Sequence, residues 1–177
     1  MDEKGKIMQN DCSFRGVTPL ILPMEYPPVR VREQNQFYAN LLTLDYCGSV
    51  SELTAITQYI HGESCLCQEQ CAESKTIIGI AMAEMMHLQK LGELIYLLGN
   101  SINFSIKTRT GTQMWTPKYL DFASNKAQII AANIAAEKAA IDQYEQHMGM
   151  IEDDCINAVL ARIIQDEEYH IMLLQMM

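Results

Sequence analysis

Two tetrads in this chain, Glu84-Met85-Met86-His87 and Glu167-Glu168-Tyr169-His170, share the spacing Glu-x-x-His. Residues three apart lie on one helix face, so each tetrad presents a carboxylate and an imidazole to the same point. Each also sits inside an apolar stripe. Ile77, Ile80, Leu91, Leu94 and Leu98 flank the first, and Ile156, Leu160, Ile163 and Leu174 flank the second. Charged groups at core positions are costly unless something compensates them. For mixed oxygen and nitrogen donors, the leading compensation is a metal ion.

Two lone glutamates extend the pattern. Glu52 lies 32 residues before Glu84, and Glu137 lies 30 before Glu167. The octets beginning at these residues, Glu52 to Tyr59 and Glu137 to Tyr144, agree at five of eight places. The chain therefore reads as two copies of one helical hairpin, each giving one lone Glu and one Glu-x-x-His. Random placement of 14 Glu and four His would give only about 0.3 such tetrads. The inventory is four carboxylates and two imidazoles: Glu52, Glu84, His87, Glu137, Glu167 and His170. Such donors suit iron or manganese and accept zinc. Four carboxylates largely neutralise two divalent ions, and they can bridge metals about 3.5–4 Å apart.

The elements that must position these groups follow from helix formers and breakers. Pro19, Pro23, Pro27 and Pro28 exclude a continuous helix before residue 33. Residues 1–33 form an irregular arm whose interleaved apolar residues either pack along their own bundle or cross to a second subunit. Four helices are expected within 34–177, at 34–64, 72–98, 121–149 and from the Asp153-Asp154 cap to 175. Gly99-Asn100 marks the end of the second. The polar stretch 101–120, carrying the only Trp, is long for a helix connection. It fits a crossover along the length of a four-helix bundle.

At 177 residues the chain fits one domain with a single core. Its net charge of −9 argues against a nucleic-acid partner. No apolar run reaches about 18 residues, so no membrane span is expected. The charged start, Met1 to Lys6, is not followed by a signal-peptide core. Six cysteines without a secreted disulfide framework suggest a reducing cytoplasm.

The six-ligand arrangement resembles the ferritin-like family of di-iron and di-manganese carboxylate proteins, over about residues 34–176, and is most similar to its rubrerythrin and manganese-catalase branches. The resemblance implies an all-α ferritin-like four-helix bundle with one long crossover between helices two and three. It implies a cofactor of two metal ions, iron or manganese, and an oxidoreductase that removes hydrogen peroxide. Glu52, Glu84, Glu137 and Glu167 would be its catalytic carboxylates. Dioxygen is the alternative substrate, and a homo-oligomer, a dimer foremost, is the implied assembly. Two departures from rubrerythrins stand out. The chain has no Cys-x-x-Cys, so a peroxidase would need an external donor such as a rubredoxin. Ala140 stands where rubrerythrins tend to carry a further Glu. The alternatives are an iron-storage protein with ferroxidase activity and a spore-coat relative of manganese catalase.

Other residues carry weaker expectations. Tyr59 and Tyr144 each follow a lone Glu by seven, on its face; they either hydrogen-bond a ligand carboxylate from behind or are ordinary core tyrosines. Asp166 reads as a solvated acid rather than a partner of His170, four residues on. Cys65, Cys67 and Cys71 could bind a soft metal, but a helix end and turn explain them better, with His61 the only imidazole near. His147 reads as a helix-end polar residue. The twelve Met residues read as packing.

Overall fold

A computed structural model describes residues 12–177. The first eleven residues, including the charged Met1 to Lys6, lie outside the described residues. Five α-helices build four arms of a bundle: α1 (Gln36–Cys47), α2 (Glu52–Leu66), α3 (Cys71–Leu97), α4 (Lys126–Met148) and α5 (Asp154–Gln175). The first arm differs from the single helix expected over 34–64, because it is interrupted at residues 48–51. Ser51 adopts an extended backbone and caps α2 by accepting from the Thr54 amide. The Ser51 and Thr54 hydroxyls both donate to the Gly48 carbonyl, at 2.8 and 2.9 Å. These local bonds replace the helical ladder and start a new helix at Glu52. Together α1 and α2, of 12 and 15 residues, run antiparallel along the 27-residue α3.

The other helix ends have equally local causes. Gly99 ends α3 at φ +89, where a side chain would be strained. Asp153 accepts from the Cys155 amide at 2.9 Å and caps α5. Asn125 caps α4, so this helix begins five residues later than the expected 121.

The segment between α3 and α4 is not wholly irregular. It contains an antiparallel hairpin, β1 (Ser105–Thr108) paired with β2 (Gly111–Met114). A single 3-10 turn, Pro117–Tyr119, follows it. The Trp115 indole N–H donates to Thr54 Oγ1 at 3.0 Å, Phe104 stacks on Tyr46, and the Gln58 amide bonds the backbone of Asp121. The crossover is thereby pinned along the first arm. It carries the chain to the far end of the bundle, where Lys126 meets Glu73 at the start of α3. So α4 runs parallel to α3 and antiparallel to α2.

One core cluster joins α1, the C-terminal half of α3 and α5 through Leu42, Leu91, Leu94, Leu160 and Ile163. A second joins α2, α3 and α4 through Tyr59, Ile77, Ile80 and Ile129. The site lies between them. The N-terminal arm packs along its own bundle. The Leu20 amide bonds the Gly79 carbonyl at 3.0 Å, and a Cβ on Gly79 would come within 2.8 Å of the Leu20 side chain. At its base, Cys12 is disulfide-bonded to Cys71, with Cα atoms 5.4 Å apart. This disulfide stands against the reducing compartment expected from the cysteine usage. It also removes Cys71 from any three-thiolate site with Cys65 and Cys67.

Candidate metal centre

All six expected residues converge at mid-bundle, and each is at least 97% buried. Glu84 and His87 come from α3, Glu167 and His170 from α5, Glu52 from the start of α2, and Glu137 from α4. The ring centroids of His87 and His170 are 6.0 Å apart. Donor atoms fall into two groups, each spanning no more than 4.8 Å. One holds Glu52, Glu84, His87 and Glu167; the other holds Glu84, Glu137, Glu167 and His170. Glu84 and Glu167 belong to both.

The outer nitrogens of the two rings decide what the inner ones can do. His170 Nε2 lies 2.9 Å from the Leu20 carbonyl oxygen, which only accepts, so Nε2 carries a proton. His87 Nε2 lies 3.3 Å from Asp166 Oδ2. In the neutral tautomer both Nδ1 atoms then offer lone pairs toward the centre. His170 Nδ1 is 3.0 Å from both Glu84 Oε1 and Glu167 Oε2. His87 Nδ1 is 2.9 Å from Glu84 Oε2 and 3.3 Å from Glu167 Oε1. Lone pairs facing carboxylate oxygens at these distances repel unless a cation lies between them. The donor set therefore fits two metal ions, one per group. A spread of 4.8 Å is what one ion bonding each atom at about 2.0–2.6 Å spans.

Without metal, protons take the cations' place. Burial disfavours ionised Glu52 and Glu137, and the charges of Glu84 and Glu167 push their carboxyls further up. Burial works against charged His87 and His170 too, but the facing glutamates raise both well above the usual imidazole range. Burial also opposes ionisation of Glu84, yet His170 and His87 outweigh it and hold its carboxyl well below the usual range.

The two tyrosines cross between hairpins. Tyr59 donates to Glu137, and Tyr144 donates to Glu52. Each lone carboxylate is thus oriented by the tyrosine of the other hairpin, a link that the spacing of seven along one helix did not reveal.

One expectation needs correction. Asp166 is fully buried, not solvated. Asp166 shares a face of α5 with His170, one turn on, but its carboxylate meets His87 across the bundle instead. It also accepts from Tyr26, from the Leu22 amide at 2.8 Å and from Arg162 at 2.7 Å. Burial raises its pKa, but bonds from His87, Tyr26 and Arg162 outweigh that and bring it down to about 2. His147 lies in the last turn of α4 as expected, and is buried there, its Nδ1 2.8 Å from Asp45 Oδ2. Gln143 donates to the other oxygen of Asp45 at 2.7 Å. Sequence reasoning also missed Leu20 and Tyr26. They lie on an aperiodic arm, where only the run of apolar residues hinted at packing. Asp166→Asn is expected to weaken the His87 half-site about 10–100-fold in metal affinity, the usual cost of losing a carboxylate behind a ligating imidazole. Titrating the apo variant with Mn(II), followed by electron paramagnetic resonance, measures it.

A cavity of about 360 Å³ lies between α2 and α4 and reaches Glu52, Glu84, Glu137 and Glu167. It is the space through which a small molecule can approach the centre.

No known family profile matches the chain. It is 24% identical over 160 residues to a probable manganese catalase of Clostridium acetobutylicum, covering 80% of this chain and 70% of that protein. Its structure is similar to that of KatB, a manganese catalase from Anabaena, with a TM-score of 0.74 and 25% identity over 86% of this chain and 77% of that one. It is also similar to the bacterioferritin BfrA of Mycobacterium tuberculosis, with a TM-score of 0.63 and 23% identity over 81% and 85% of the two chains. This chain has a ferritin-like fold, two antiparallel helix pairs joined by a crossover the length of the bundle.

Proposed function

We propose that the chain is a dimetal catalase, holding two manganese ions and converting hydrogen peroxide to water and dioxygen. The observation that carries this reading is the membership of Glu84 and Glu167 in both ligand groups. Shared carboxylates hold two ions close enough to act on one small molecule. Similarity to manganese catalases favours manganese and peroxide. The reading needs no outside reductant, in keeping with a chain that lacks Cys-x-x-Cys.

Glu52, Glu84 and His87 would hold one ion, Glu137, Glu167 and His170 the other, with Glu84 and Glu167 reaching both. When bound, the metals supply the two-electron redox change and polarise the peroxide oxygens. The protein's residues do the rest. Glu52 and Glu137 line the cavity, so an entering peroxide meets these carboxylates, and a free Oε can take its proton. Tyr59 and Tyr144 fix the orientation of the two carboxylates through their hydroxyls. Asp166 and the Leu20 carbonyl hold both imidazoles in the Nε2–H tautomer. The packed faces of α3 and α5 close the side away from the cavity.

The test is oxygen release from hydrogen peroxide by manganese-loaded protein with no donor added. Sustained release supports the reading; its absence with both ions bound sinks it. Tyr59→Phe and Tyr144→Phe should each slow turnover by roughly threefold to tenfold, since each loses one hydrogen bond of about 0.5–1.5 kcal/mol, with metal content unchanged. A second reading, a ferroxidase, is favoured by similarity to bacterioferritin. It predicts stoichiometric oxidation of added Fe(II) and little oxygen from peroxide. We place the working protein in a homo-oligomer; no described helix is long and apolar enough to cross a membrane.

A further inference from the structure

We propose that the cavity between α2 and α4 binds short-chain alkyl hydroperoxides, with Asn133 holding the hydroperoxide group. This rests on the peroxide reading of the centre and extends it to a substrate class. Hydrogen peroxide has two heavy atoms and needs about the room of two waters, roughly 60 Å³. The cavity of about 360 Å³ is several times larger. Its walls carry the methyl groups of Ala55, Ala132, Ala136 and Ala140, which suit a small aliphatic body.

Asn133 is the second observation. It is 99% buried, lines this cavity one turn before Glu137, and neither its Oδ1 nor its Nδ2 has a hydrogen-bond partner. A buried amide with both ends unpaired calls for a bound molecule that accepts and donates at once. An anion only accepts and a metal cation only takes lone pairs, whereas water, an alcohol or a hydroperoxide does both, and the alanine walls suit one that carries an alkyl body. The charge of the lining agrees. Asp45, Asp121 and the ligand glutamates face the cavity, and among the described residues no Lys, Arg or His does. An anionic ligand is disfavoured and a neutral hydroxylic one is not.

The net reaction balances with hydrogen peroxide as co-reactant. The O–O bond of the alkyl hydroperoxide breaks, taking up two electrons and two protons to leave an alcohol and water. Hydrogen peroxide gives up both electrons and both protons as it becomes dioxygen. One dioxygen then appears per hydrogen peroxide consumed, rather than one for every two.

Manganese-loaded full-length protein is given hydrogen peroxide with and without tert-butyl hydroperoxide. Dioxygen is read at an electrode and tert-butanol by proton NMR. The expected result is tert-butanol formation and a rise in dioxygen per hydrogen peroxide toward one. Ala136→Phe, at an exposed position in the cavity wall, should cut the rate ratio of alkyl to hydrogen peroxide at least tenfold. Asn133→Leu should raise KM for tert-butyl hydroperoxide more than it lowers kcat. Ala132→Leu is the second cavity variant, and metal content and melting temperature report folding in each. Rapid hydrogen peroxide turnover with tert-butyl hydroperoxide untouched, or a rate ratio unmoved in both cavity variants, overturns the inference: the cavity then holds water only. Protein that consumes neither peroxide overturns the catalase reading itself. In that case saturation-transfer NMR with tert-butanol still judges the site, and a signal lost in Ala136→Phe upholds a hydroxylic ligand whereas no signal overturns it.

Discussion

Glu84→Ala or Glu167→Ala is expected to lower bound metal from two ions per chain to fewer than one, and to reduce oxygen release more than a hundredfold. The reason is geometric. Each of these carboxylates belongs to both ligand groups, so one truncation removes a donor from each ion at once. It also leaves one fewer negative charge to hold two dications in a buried site, where charges are weakly screened. Glu52→Ala and Glu137→Ala each touch one group, and should leave one ion bound. The loss from the shared pair should exceed the roughly 10- to 100-fold typical of residues behind the ligands. Metal analysis by mass spectrometry beside the oxygen electrode distinguishes the two classes. Equal loss of metal from all four variants would show that Glu84 and Glu167 are not shared.

Stripping the metals should destabilise the protein and change how its stability depends on pH. Metal at about 100 times its dissociation constant contributes about 2.7 kcal/mol per site. At about 2–4 °C per kcal/mol for a chain of this size, two sites correspond to roughly 10–20 °C in Tm. The stripped protein should then become more stable as pH falls from 8 toward 5. Glu52 and Glu137 have folded pKa values raised by burial and by Glu84 and Glu167. A raised acid is protonated in the folded state while the unfolded chain has already lost its proton. Its stabilisation is full below the unfolded value and lost as pH rises through the folded one. His87 and His170 are raised too, and act in the same direction above the ordinary imidazole value. Glu84 has the opposite sign: its depressed carboxyl costs stability once pH drops below the usual carboxylate range. A maximum at mildly acidic pH follows, measurable by calorimetry of chelator-treated protein across pH 4–8. A metal-free protein that melts with its loaded form, or is most stable at pH 8, would contradict a buried cluster of four carboxylates.

Most of this was legible in the sequence for one reason. The ligands lie on long helices, where spacing alone fixes a face, and the hairpin repeat supplied each missing glutamate. Legibility ended where position depends on another segment. The break at Gly48–Ser51 does carry a signal, a glycine and two serines of the kind that favour turns and N-caps, but the helical periodicity on either side masks it. The hairpin at 105–114 gives no clear alternation, since its residues are mostly exposed. Asp166 looked solvated because its partners, Tyr26, Leu22 and His87, are 79–144 residues away in the chain. Cys12 and Cys71 are likewise separated by 59 residues.

The arm that backs both imidazoles also sets an order of events in time. Residues 20–26 precede the whole bundle in the chain, but the groups they grip, Arg162, Asp166 and His170, belong to α5, its final helix. Joining chain segments about 140–150 residues apart is entropically costly and slow. The first hairpin can fold and present Glu52, Glu84 and His87 while nothing yet holds the outer nitrogen of either ring. Metal affinity should therefore arrive late and abruptly, when α5 docks and the arm closes over it. A chain truncated before residue 154 should retain no metal, and chains that include α5 should acquire it only once the arm has closed over that helix.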